Sequence, residues 1–189
     1  MTGKTKKMLN FALVNRMTQF FVWLSRIHRC RGFGIQSPTD YSFVRDIVNE
    51  HYPYYAYSEL GQKGTWLDRK VGQLFLRLAN HLQPNTIVDL AGGYDNYLKA
   101  GCRHAIITHD VDKTKGTALI ITSAGKMTDS LKAVCRPGSM LVIENISKNK
   151  SQWQEVVQWP QTTITYDLYY LGIATFDPAR TPQHYTVNF

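Results

Sequence analysis

From Pro84 onward, short apolar runs alternate with amphipathic stretches, and this alternation restricts the fold more than any other feature of the chain. The runs are TIVDL (86–90), HAIIT (104–108), TALIIT (117–122), SMLVIENI (139–146), a long one at TITYDLYYLGIATF (163–176), and HYTVNF (184–189). Each is rich in β-branched or aromatic residues and is bounded by turn formers, as strands are. Strands that are apolar along their whole length are buried on both faces, so the pattern predicts an α/β fold with a mostly parallel sheet and helices on both faces. KMTDSLKAVC and SQWQEVVQW fit two of those helices, the second with Ser151 and Gln154 at capping-box spacing. The last two runs, joined by DPARTPQ, are close enough to close the sheet as an antiparallel hairpin.

Residues 1–84 read differently, as a helical N-terminal segment ahead of the sheet core at 85–189. Large apolar residues at Leu9, Leu13, Met17, Phe20, Leu24 and Ile27 recur at intervals of three and four, the mark of one helical face. SPTD places a capping Ser37 and a first-turn Pro38 ahead of Asp40, with Tyr41, Val44, Ile47 and Val48 forming an inward stripe. A third helix spans about 67–82 and stops at Pro84. At 189 residues the two parts together make one domain.

The net charge of +8 is concentrated at the start. Residues 1–39 carry seven basic side chains and no acid, whereas the remainder holds 15 basic and 14 acidic residues. A nucleic-acid-binding surface spread over the fold is therefore not favoured. The basic, apolar segment 1–31 suits either a helix docked on the core or one lying on an anionic membrane surface or a protein partner. Three widely spaced cysteines without a CxxC pair fit reduced thiols in a cytoplasmic protein, and no run reaches the ~18 apolar residues of a membrane span.

In a doubly wound sheet the ligand sits beyond the carboxyl ends of the central strands, and residues 86–102 occupy the first such turn. The loop reads Asp89, Leu90, Ala91, Gly92, Gly93, Tyr94, Asp95. Together with RGFGIQSPTDYSFVRDIVNE, YYAY, VGQLFLRLANHLQPNTIVDL and the C-terminal tail, it resembles a group of bacterial class I S-adenosylmethionine-dependent methyltransferases that carry a helical segment before the sheet. The resemblance implies a Rossmann-like fold, S-adenosylmethionine as cofactor and methyl transfer to a small molecule. It also implies a binding loop at Asp89, Ala91, Gly92 and Gly93, and a ribose-binding acid at Asp110, with Asp112 as its substitute.

Departures from that family fall at the site. Of the three alternate glycines in its loop, D/E-x-G-x-G-x-G, only Gly93 is in place; Ala91 and Asp95 replace the others, and Gly92 falls between. In the histidine-rich GHGIHSP segment, Phe33 and Gln36 stand where the family has histidines. Only six residues separate Asp110 from Thr117, too few for a parallel crossover of ~10–12 residues. Either 104–108 and 117–122 pair as an antiparallel hairpin, or one of them is not a sheet strand in that family's sense. Two functions therefore stand side by side: an active methyltransferase without an assignable base, and a contracted, non-catalytic binding or scaffolding relative. Glu144 and Asn145 could orient a substrate or simply end a strand. His104, His109, Asp110 and Asp112 lack a diagnostic metal spacing. The aromatic run HYPYYAY (51–57) could stack on an adenine or pack against the core.

Overall fold

The computed structural model describes residues 16–60 and 64–189. Helix α1 (Arg16–Ser25) leads through a 3-10 segment, Ile27–Gly32, to α2 (Pro38–Phe43) and a π-helical turn, Val44–Val48. Helices α3 (Tyr55–Leu60) and α4 (Trp66–Leu82) follow. The sheet region then runs β1 (Thr86–Asp89), α5 (Asp95–Gly101), β2 (Ile106–Thr108), β3 (Ala118–Ser123), α6 (Asp129–Val134), β4 (Met140–Glu144), α7 (Lys150–Val157), β5 (Ile164–Asp167), β6 (Leu171–Thr175) and β7 (Gln183–Thr186).

Seven strands form one sheet in the order β2-β1-β3-β4-β6-β5-β7. Six run in one direction; β6 alone opposes its neighbours β4 and β5. The expected α/β class, Rossmann-like with an antiparallel C-terminal hairpin, is present. Alternation along the strands divides their apolar residues between two cores. Ile87, Leu119, Ile121, Val142 and Ile173 face α4, α5 and the N-terminal helices, while Val88, Ile120, Leu141, Ile143 and Ala174 lie with Leu131, Trp153 and Val156 of α6 and α7. Phe43, Val44 and Val48 belong to the first cluster, so the N-terminal helices and the sheet share one core.

Several expectations are corrected. The run 163–176 is not one strand: it turns back at 168–170 and supplies both strands of the hairpin, β5 and β6. The final strand therefore does not pair antiparallel with its predecessor but lies parallel to β5. The antiparallel alternative for 104–108 and 117–122 does not hold, because β2 and β3 both pair in parallel with β1, on opposite sides of it. The short link suffices because β2 has only three residues, so the return path covers ~10 Å along the strand and ~10 Å across it, within the reach of the nine residues 109–117. In α7, Asn149 stands at the cap position, and Ser151, already inside the helix, donates to the Asn149 side chain instead of capping. Tyr41 faces outward, and Phe43 takes its place in the core. Of the first apolar stripe, Leu9 and Leu13 lie outside the described residues. Phe20, Leu24 and Ile27 of that stripe are all exposed, so the segment is not docked on the core through them.

Two buried polar groups fix the helical segment to the body. Arg77 of α4 donates to the carbonyl oxygens of Ile47 and Val48, at 2.6 and 3.0 Å, and to the Tyr57 hydroxyl at 2.9 Å. Ser37 caps α2 as expected, but the Asp40 carboxylate does not serve the cap. Only 1% exposed, it accepts from Arg180 at 2.8 Å and from the hydroxyls of Tyr166 and Tyr185 at 2.9 and 3.0 Å. Removing one partner of a buried, hydrogen-bonded charge pair typically costs ~3–5 kcal/mol. Asp40→Ala should therefore lower the unfolding free energy in urea by about that amount, less the share that solvent screens at Arg180; a loss below about 1 kcal/mol would contradict this role.

Candidate functional site

The strand order reverses between β1 and β3, and this switch point is where a doubly wound sheet opens a crevice beyond its carboxyl ends. Asp89 ends β1 and is 1% exposed; its Oδ1 accepts the Gly92 N–H at 2.7 Å. Gly92 and Gly93 both have positive φ, at 79° and 106°, the region in which glycine is unstrained. A Cβ placed on Gly92 would meet nothing within 4 Å, so the loop is open on that side. Ala91 is half-buried and leans on the first core. Tyr94 turns inward beneath the loop, 4% exposed, with its ring edge-on to Phe75 at 4.9 Å.

Asp110, the expected ribose acid, lies just beyond β2, alongside β1. Its carboxylate is half-exposed and engaged locally: it accepts the Asp112 N–H at 3.1 Å and lies 3.6 Å from the Lys113 ammonium. His109 bridges the two strand ends, its Nδ1 2.6 Å from the Asp89 carbonyl oxygen, which makes Nδ1 the protonated, donating nitrogen. The structure thus brings Asp89, His109 and Asp110 to one sheet edge. Beside Asp110, however, the chain offers only a three-residue 3-10 turn, Val111–Lys113. Among the described residues, neither a longer helix nor a further strand rises there to enclose a nucleoside.

Below the loop is a group of acids that the sequence revealed only in part. Glu144, the last residue of β4, is buried, as is Asp68 of α4. The chain leaves Asp68 Oδ1, Asp89 Oδ2, Tyr94 Oη, Thr122 Oγ1 and Glu144 Oε1 buried without a hydrogen-bond partner. Burial pushes the Glu144 carboxyl well above its ordinary range; the Asp89 charge adds to this and Lys126 tempers it. Burial likewise raises Asp89, against the Gly92 N–H that steadies its charged form. Tyr94 is pushed up by burial first and then by the charges of Glu144 and Asp68, so its phenol stays protonated. Such a group can hold and share a proton, or receive a cationic or hydrogen-bond-donating ligand. Asp68 escaped notice because it doubles as the capping-box partner of Thr65, an ordinary structural role.

The other candidates separate. Among the described residues no three His, Cys, Asp or Glu side chains form a metal-holding group. The three cysteines are free, and Cys102 is buried against His104 at 3.5 Å. In the aromatic run, Tyr57 joins Arg77 while Tyr52 and Tyr55 face solvent. Asn145 has a φ of +62° and donates its N–H to Tyr170, a strand-ending role. A cavity of about 530 Å³, not anticipated from the sequence, opens at the opposite edge of the sheet. Phe43, Ile47, Leu82, Met140 and Phe176 give it an apolar lining, with Asp46 and His81 among its polar groups. Its walls come from segments far apart in the chain, and no local motif marks them.

A scan against protein-family models, a search of curated proteins and a search of solved structures each returned no match.

Raising the folded pKa of Glu144 above its unfolded value means that the fold prefers the protonated acid. That preference costs nothing below the unfolded value of 4.5 and becomes a penalty as pH rises from there toward the folded pKa. Glu144→Gln should therefore raise the melting temperature at pH 7, by roughly 2–4 °C for each kcal/mol of penalty removed, and leave it unchanged at about pH 4. An equal effect at both pH values would contradict the assignment.

Proposed function

We propose that this chain is a methyltransferase-fold protein that does not transfer methyl groups and acts by binding, with the apolar cavity at the edge remote from the switch point as its ligand site. The observation that carries this reading is the contrast between the two edges. Asp110 stands in the open with its carboxylate committed to Asp112 and Lys113, and only a 3-10 turn rises beside it. Tyr94 fills the space beneath the loop. The far edge instead holds a hollow of about 530 Å³, within the ~300–1,000 Å³ usual for small-molecule sites and apolar in its lining. A compact, largely apolar molecule without negative charge suits it, because Asp46 and Asp177 stand among its lining residues.

The rival reading, an active S-adenosylmethionine-dependent enzyme acting on a small molecule, is favoured by the open side of Gly92 and by the position of Asp110 beside β1. Positioning and desolvation would then supply the acceleration. Thermal denaturation separates the two. A ligand at 100 times its Kd adds ~2.7 kcal/mol, several degrees for a domain of this size. The binding reading predicts no shift with millimolar S-adenosylmethionine or its demethylated product. It also predicts that the uncharged dye Nile red binds and is lost in Ser42→Trp, which fills the cavity mouth. A saturable shift with either nucleoside would overturn the reading, as would dye binding that ignores the substitution.

A further inference from the structure

The helix α1 leaves its apolar side chains in water. Phe20, Phe21, Trp23, Leu24 and Ile27 are 45–59% exposed, and Phe33, just beyond, is 79% exposed. The three aromatic rings of α1 gather into one patch, with Phe20 5.9 Å from Phe21 and 6.4 Å from Trp23. A contiguous aromatic patch of this kind marks an interaction surface.

The helix is nonetheless held in place at its C-terminal end. Arg26 donates to the carboxylate and the carbonyl oxygen of Asp167, both at 2.9 Å, and to the Val187 carbonyl at 3.3 Å. Asn188 donates to the Trp23 carbonyl at 3.2 Å. These contacts use polar groups on the inner side and leave the aromatic residues uncovered.

Charge indicates what covers them. Residues 1–39 contain Lys4, Lys6, Lys7, Arg16, Arg26, Arg29 and Arg31 and no acid. Among these, Arg29 and Arg31 are exposed immediately after α1. A soluble protein partner that covers aromatic residues needs no such excess; an anionic lipid surface takes up both features, aromatic rings at headgroup depth and cations at the phosphates. Each basic residue near such a surface raises partitioning about fivefold. No described helix is long and apolar enough to cross a membrane. We propose that α1, with the basic turn after it, lies in the plane of an anionic membrane surface and holds the sheet domain there. The proposal does not depend on what the domain binds.

Co-sedimentation of the full chain with vesicles tests it. Vesicles of phosphatidylcholine with one-third phosphatidylglycerol should retain the protein at least tenfold better than phosphatidylcholine alone. Raising salt from about 0.1 M to about 1 M, which shortens the screening length from ~10 to ~3 Å, should release most of it. Arg29→Glu with Arg31→Glu should weaken retention on anionic vesicles at least tenfold. Phe20→Ser with Trp23→Ser should do the same while shifting the melting temperature by no more than a few degrees, since both side chains are about half exposed and belong to neither core cluster. Retention indifferent to lipid charge and salt, or unaffected by the aromatic pair, would overturn the proposal. So would a lipid-free dimer, seen by sedimentation equilibrium, that the aromatic substitutions abolish, because the patch would then serve a second copy of the chain.

Discussion

Nine residues between Thr108 and Ala118 govern what this sheet can hold. They leave the end of β2, pass β1 and enter β3 in parallel, a return path that the three-residue β2 keeps short. The same economy removes any element that would rise next to Asp110. The short link therefore allows this order of the central strands while leaving the crevice beyond them with only a 3-10 turn beside Asp110. Fold and binding site separate here because the fold depends on the buried faces of β1, β3 and β4, whereas the site depends on what surrounds their ends.

The two edges of the sheet handle buried charge in opposite ways. Asp40 is surrounded by Arg180, Tyr166 and Tyr185, so its charge is paired and hydrogen-bonded and ties the second helix to the last strands. Each acid below the glycine loop instead leaves one carboxylate oxygen without a hydrogen-bond partner, and burial pushes Glu144 and Asp89 toward their protonated forms. A partnered carboxylate stabilises a fold; unpartnered ones weaken it at neutral pH, a cost tolerated most often where a site exists or once existed.

The sheet was legible because TIVDL, TALIIT and SMLVIENI are apolar throughout, a pattern that admits little besides strands covered on both sides. Ser37 and Pro38 likewise mark the start of their helix by local chemistry alone. Pairing direction was not legible. Whether 104–108 folds back on 117–122 or lies across β1 from it depends on distances in space, and the turn at 168–170 hides inside an aromatic run where Asp167, which accepts the Tyr169 N–H at 2.8 Å, is an easily overlooked turn signal. Asp89, Ala91, Gly92, Gly93 and Asp110 do meet at one edge, because β1 and β2 run parallel and end side by side. The inward rotation of Tyr94, the proximity of Asp68 to Glu144 and the far cavity all arise from tertiary packing, which residue spacing does not encode.

The central claim is that the switch point has an open glycine loop but does not enclose an adenosyl group. Amide resonances of Gly92, Gly93 and Asp110, followed by NMR during titration with S-adenosylmethionine, test it at the atoms concerned. The account predicts that all three stay fixed to millimolar concentration. Saturable displacement of these resonances, with Asp110 moving together with the two glycines, would contradict it.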